Sequence, residues 1–175
     1  MRVIEDALLI AFVAVVIVTD WRWQRIPNLA TYPTMLVGLV LGAFEATRGI
    51  GVGVPFGEGF LDHLSGLVLA FLVAYPFYAM RGLRAGDAKM LMAIGSLKGT
   101  VFVLNAALYG ALFGLVVPIF AVIFGRTQAA APDEPSAFPL ITDRMPPRVR
   151  NALRTWFPYG VALGIGALVA LVARP

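Results

Sequence analysis

A chain of 175 residues that is 59% hydrophobic and only 14% charged cannot be an ordinary soluble domain, because at this size too much of the molecule is surface to hide that much apolar matter. The absence of cysteine excludes disulfides, thiolate nucleophiles and thiolate metal sites, and a single histidine, His63, argues against a zinc site. A net charge of +4 in such a chain reads as basic loops that orient a membrane protein, not as a nucleic-acid surface.

A bilayer core takes about 20 apolar residues per helix, with a range of roughly 17–25. In chain order the apolar runs predict helices over 3–19, 29–46, 64–80, 101–124 and 156–173. The first run is read as retained: its flank Asp20-Trp21-Arg22-Trp23 offers no small-residue cleavage site, and further apolar runs follow. Between the third and fifth runs lies 88–97, apolar but too short to span alone. Helical over 86–100, it could cross a thinned or protein-lined region, where non-standard segments are tolerated. The expected architecture is therefore all-α: one polytopic domain over 1–175, a bundle of six transmembrane helices.

The connections differ in character. Residues 21–28 are short, basic and aromatic, and 49–59 form a glycine-rich loop with Pro55, expected to be flexible. Residues 81–87 are basic and tight. The stretch 125–155 holds five prolines and five arginines, with 129–135 expected to be disordered and 147–156 a short basic interfacial helix. With six crossings, ten of the lysines and arginines fall on one side (Arg22, Arg25, Arg81, Arg84, Lys89, Arg126, Arg144, Arg148, Arg150 and Arg154) and four on the other (Arg2, Arg48, Lys98 and Arg174). The positive-inside rule puts the first group in the cytoplasm. Omitting the short fourth segment would move 126–154 to the face opposite Arg22 and Arg81, so the charges favour six crossings.

Asp20 ends the first predicted helix and Asp87 opens the fourth, which brings two carboxylates to the same face although they are 67 residues apart. An acidic side chain at mid-membrane costs roughly 2.5–3.5 kcal/mol on insertion scales, less near the interface. Two close carboxylates cannot both ionise easily and come to share a proton, the arrangement with which an aspartic protease activates water and polarises a carbonyl. Either residue alone is more simply a solvated or capping aspartate, and Asp87 sits where an N-cap would stabilise the fourth helix.

The local context of both aspartates favours the chemistry. Asp20 precedes Arg25-Ile26-Pro27-Asn28, and Asp87 lies in Arg84-Ala85-Gly86-Asp87-Ala88-Lys89. With Pro158-Tyr159-Gly160 opening the last helix, these stretches resemble the type IV prepilin peptidases, intramembrane aspartic proteases with a Gly-x-Gly-Asp motif. The short branch serving Flp/Tad pili, which lacks a cysteine-bearing cytoplasmic domain, is the most similar. The resemblance implies Asp20 and Asp87 as the catalytic pair, with Ile26, Pro27, Asn28, Gly86, Lys89 and Tyr159 as supporting motif residues. It implies a single-span prepilin substrate cut after glycine on the cytoplasmic side of a bacterial inner membrane. No metal or organic cofactor is implied, since water is the nucleophile. The expected surroundings are lipid and the pilus-assembly machinery, with no nucleic acid. One departure stands out: the motif's first glycine is Arg84 here. A glycine there would permit close approach or positive φ, whereas an arginine would depress the pKa of Asp87.

Other residues read more plainly. Pro27 breaks the chain after the first helix and Asn28 is expected to cap the second. Lys89 is expected to set the charge of the pair, to bind a lipid phosphate or to snorkel. His63 with Asp62 and Glu58 has poor spacing for a metal. Met80, Met90 and Met92 are expected to fill gaps between helices. Asn105 is expected to hydrogen-bond a neighbouring helix, and Gly110, Gly114, Gly160, Gly164 and Ala167 to permit close helix contact. Two further functions stay open: an inactive homologue that scaffolds pilus assembly, favoured by Arg84, and a small proton-coupled transporter. Against the latter stand the lack of an internal repeat and acids that lie near one face.

Overall fold

The computed structural model describes residues 2–23, 25–50, 53–55, 57–80, 83–123 and 159–173, and these contain six α-helices. They are α1 (Arg2–Trp23), α2 (Asn28–Glu45), α3 (Phe60–Ala79), α4 (Ala85–Lys98), α5 (Thr100–Ile123) and α6 (Tyr159–Val172), and no strand occurs among the described residues. The expectations for 129–135 and 147–156 lie outside the described residues. The boundaries differ from the predicted ones by a few positions. One difference matters for the site: α1 runs on to Trp23, so Asp20 lies inside its last turn.

Local chemistry explains the breaks. Pro27, at φ −71° and ψ 133°, is the N-cap of α2, and its carbonyl accepts the N–H groups of Ala30 at 3.0 Å and Thr31 at 3.3 Å. Asn28 is thus the first helical residue and not the cap, because proline has already supplied the extended conformation a cap requires. Pro33 inside α2 removes one backbone donor, and the hydroxyl of Thr34 donates to the Ala30 carbonyl at 2.8 Å nearby. The glycine-rich segment starts as a π turn, Ala46–Ile50, before Gly53 and Gly59 take φ of 78° and 86°.

The centre of the bundle is α4. Met90, Ala93, Ile94 and Leu97 are fully buried, and the helix touches every other one. Its 14 residues span about 21 Å, short of the roughly 30 Å of a bilayer core. Protein rather than lipid surrounds it, as the sequence suggested such a segment would need. Glycines let its neighbours in: a Cβ on Gly66 of α3 or Gly95 of α4 would run into the other's carbonyl oxygen. Where α5 crosses α6, a Cβ on Gly166 would run into the backbone of Gly110 and one on Gly110 would press on Leu163, and Gly164 makes room for Val13 and Ile17 of α1. Gly114 is looser, with nothing nearer than 3.8 Å to an added Cβ. Two expectations fail here. Asn105 is exposed on α5 instead of facing a neighbouring helix, and Met80 is exposed past the end of α3, so neither contributes to the interior.

The outer surface is apolar. Leu36, Leu72, Leu108 and Leu115 stand outward on three helices, each 58–65% exposed. Such a belt would drive association in water and is neutral in hydrocarbon. By length and composition, Asn28–Arg48 and Phe60–Ala79 suffice to cross a membrane, while Thr100–Val116 and Tyr159–Val172 are shorter apolar helices.

Candidate active site

The up-and-down order of the helices brings the last turn of α1, the first turn of α4 and the first turn of α6 to one end of the bundle. That end holds Asp20 and Asp87, 4% and 3% exposed, close enough that the charge of Asp20 acts on Asp87. The Arg84 guanidinium acts on both carboxylates, and the charge of Asp87 reaches the Tyr159 phenol. Four of the residues singled out from the sequence motifs therefore share one small volume.

Asp87 is held by the start of its own helix. Its Oδ2 accepts the backbone N–H of Arg84 at 3.2 Å. Arg84 is the N-cap, so Asp87 lies three residues further on than a cap would. From there a carboxylate still answers the free amides and the positive end of the helix dipole. The backbone of Arg84 has φ −82° and ψ 155°, ordinary extended geometry. No left-handed conformation is required where the motif has its first glycine, and arginine sits there without strain.

Asp20 is seated by α6. The amides of Gly160 and Val161, in that helix's first turn, interact with its carboxylate. Oδ2 is buried with no hydrogen-bond partner among the described residues, an unfinished arrangement for a polar atom in the interior. An added Cβ at Gly160 would stand 2.7 Å from that oxygen.

The Ile-Pro-Asn stretch joins the parts. Ile26 lies between two glycines: a Cβ on Gly86 would be 3.2 Å from its Cβ, and one on Gly160 3.0 Å from its Cδ1. Asn28 Oδ1 accepts a hydrogen bond from Lys89 Nζ at 2.9 Å, and the same ammonium lies 5.1 Å from the centre of the Tyr32 ring. Lys89 thus fastens α4 to α2 through Asn28, a pairing the sequence did not suggest because the partners are 61 residues apart.

The opposite end carries a second polar cluster. His63 sits beside Glu45 and Glu5, not in a group with Asp62 and Glu58. Asp62 is used otherwise, its Oδ1 accepting the Thr100 N–H at 3.1 Å where α5 begins. Glu5, Asp6 and Lys98 form an ion-paired group there. The sequence marked His63 and Asp62 only with each other and Glu58, and nothing local joins them to Glu5, Glu45 or Lys98, which come from the ends of other helices.

These observations define a class: a helical membrane protein with two buried carboxylates at one end of its bundle. A profile of the type IV leader peptidase family matches residues 7–119, a stretch that contains both aspartates, Ile26-Pro27-Asn28 and Gly86. The chain belongs to that family of proteases. Comparison with curated proteins and with solved structures gives no significant match.

Proposed function

We propose that the chain is a six-span aspartic endopeptidase of a bacterial inner membrane that removes the leader of Flp-type prepilins, with Asp20 and Asp87 as its catalytic pair. The observation that carries this reading is the meeting of two buried carboxylates from motif stretches far apart in a chain of the leader peptidase family. In the singly protonated pair, the ionised carboxylate takes a proton from water as the water's oxygen attacks the scissile carbonyl. The protonated partner donates a hydrogen bond to that carbonyl and stabilises the developing oxyanion. Collapse of the tetrahedral intermediate breaks the C–N bond and passes a proton to the leaving amine. Water is the only co-reactant this route needs.

Ile26, Gly86 and the Asn28–Lys89 hydrogen bond act as positioning elements that hold the loop after α1 against the start of α4. The substrate's single helix docks from the lipid and its basic leader lies among the cytoplasmic loops, with the pilus-assembly machinery receiving the product. Co-expression with a Flp-type prepilin, read by intact mass, tests the reading. Wild type is expected to cleave after glycine, and Asp20→Asn and Asp87→Asn at equal membrane levels are each expected to lose about 10²–10⁴ of the rate. Equal processing by all three ends the aspartate mechanism. Arg84 in the motif favours a second reading, an inactive scaffold. Under it wild type cleaves no prepilin while pilus assembly still requires the chain.

A further inference from the structure

At the end of the bundle away from the aspartates, His63, Glu45 and Glu5 each offer a ligand atom, and these atoms all lie within 4.8 Å of one another. They come from α3, α2 and α1, and Glu5 lies fifteen residues, about 22 Å of helix, from Asp20. We propose that Glu5, Glu45 and His63 bind a divalent first-row transition-metal ion, of the zinc or manganese kind, which ties these three helices together.

The histidine is prepared for the task. Its Nδ1 is 2.7 Å from the Ser96 carbonyl oxygen, which can only accept, so Nδ1 carries the proton. In the neutral ring Nε2 therefore presents a lone pair toward Glu45 Oε2, 3.7 Å away and too far for a hydrogen bond. A backbone carbonyl that fixes the tautomer and orientation of a ligating imidazole is the usual outer partner of a metal-bound histidine. The backbone is shaped around this ring. A Cβ on Gly42 would stand 2.8 Å from the ring carbons, and one on Gly38, four residues earlier, would run into the Ser96 carbonyl itself.

Glu5 supplies an independent observation. It is 95% buried, yet its Oε1 has no hydrogen-bond partner among the described residues. Its other oxygen accepts from Lys98 Nζ at 2.9 Å, and the same ammonium reaches Asp6 Oδ1 at 2.6 Å. The two carboxylates beside His63, Glu5 and Glu45, are both largely buried, and Lys98 is ion-paired to Glu5 through Oε2 and not through Oε1. A buried carboxylate oxygen left without a donor is destabilising, and a divalent ion would offset that cost. One imidazole and two carboxylates suit zinc or manganese better than magnesium or calcium, which prefer oxygen alone. Glu45, with its side chain 14% exposed, leaves an entry path.

The test uses the full chain in mild detergent, with a tag free of histidine, stripped with EDTA and equilibrated with Zn²⁺ or Mn²⁺. Metal per chain is read by elemental mass spectrometry and affinity by titration calorimetry. Wild type is expected to hold one ion and to melt at higher temperature with it. An Asp20→Asn/Asp87→Asn double variant is expected to behave alike, which separates this site from the peptidase reading. Glu45→Gln, which removes a charge at constant shape on a partly exposed residue, and His63→Asn are each expected to weaken binding more than about tenfold, the least expected even for an outer partner. The proposal is overturned by the absence of metal in wild type above an empty-detergent blank. Metal retained equally by Glu45→Gln and His63→Asn, or lost in the Asp20→Asn/Asp87→Asn variant, overturns it too.

Discussion

The carboxylate of Asp20 rests against a residue with no side chain: an added Cβ at Gly160 would come within 2.7 Å of its Oδ2. The glycine after Tyr159 thereby lets α6 bring its first amides up to Asp20. Gly160→Ala should displace the Asp20 carboxylate, which its methyl would overlap, and press on Ile26 Cδ1 beside it. A displacement of the order of 1 Å at a reacting group costs about a hundredfold in rate. The expected outcome is that loss in the initial rate of prepilin cleavage, at normal membrane levels. Gly114→Ala, whose Cβ has room, is the control and should cleave at the wild-type rate.

A pair that works only with one proton between its members has a bell-shaped dependence on pH. The limbs belong to the pair and not to either aspartate. Cleavage measured across pH in detergent should fall at both extremes, where the pair is doubly protonated or doubly ionised. A rate that climbs to a plateau at high pH would show that a single ionised base suffices.

Arg84→Gly moves that bell. Removing the guanidinium takes a positive charge away from both carboxylates, so each holds its proton more strongly and both limbs move to higher pH. The backbone at this position is ordinary extended chain, so the glycine releases no strain and costs at most about 1 kcal/mol of stability. An unmoved profile would mean that Arg84 acts on neither carboxylate.

Much of this site was legible because its signals are local. Asp20 and Asp87 fall at helix ends, and the alternation of six apolar runs dictates that those ends coincide. The short fourth segment was harder, for an apolar run of about ten residues has no distinct meaning until its neighbours are known. Its burial on every side explains both its length and its glycine. What the sequence hid were pairings between distant positions. Lys89 was read by its charge and proved to be a donor to Asn28, and His63 was read with Asp62 next to it and proved to face Glu5 and Glu45. Periodicity places residues on a face but does not say which residue of another helix stands opposite.

Lys89→Met separates the charge of Lys89 from its anchoring role. The hydrogen bond to Asn28 is exposed, so its loss should lower stability by less than about 1 kcal/mol. Cleavage should slow a few-fold, Asn28→Ala should match it, and the double variant should be no slower than either single one. The limbs of the pH profile should stay in place, since Arg84 rather than Lys89 acts on the aspartates. A shifted profile in Lys89→Met would return the charge-setting role to this residue.

The crossing of α3 and α4 should be the least forgiving place in the bundle. A methyl group on either Gly66 or Gly95 meets the partner's backbone carbonyl, which cannot rotate away as a side chain can, so the helices themselves must separate. Overpacking of a close interior typically costs 1–3 kcal/mol, and backbone against backbone belongs at the upper end. In a protein of this length each kcal/mol moves the melting temperature by about 2–4 °C. Gly95→Ala is therefore expected to melt several degrees below wild type in detergent, followed by tryptophan fluorescence. Gly66→Ala should do the same, and the double variant should exceed either, because both methyl groups enter the same gap. Unchanged melting in Gly95→Ala would mean that the two helices do not approach as closely in the membrane-embedded protein.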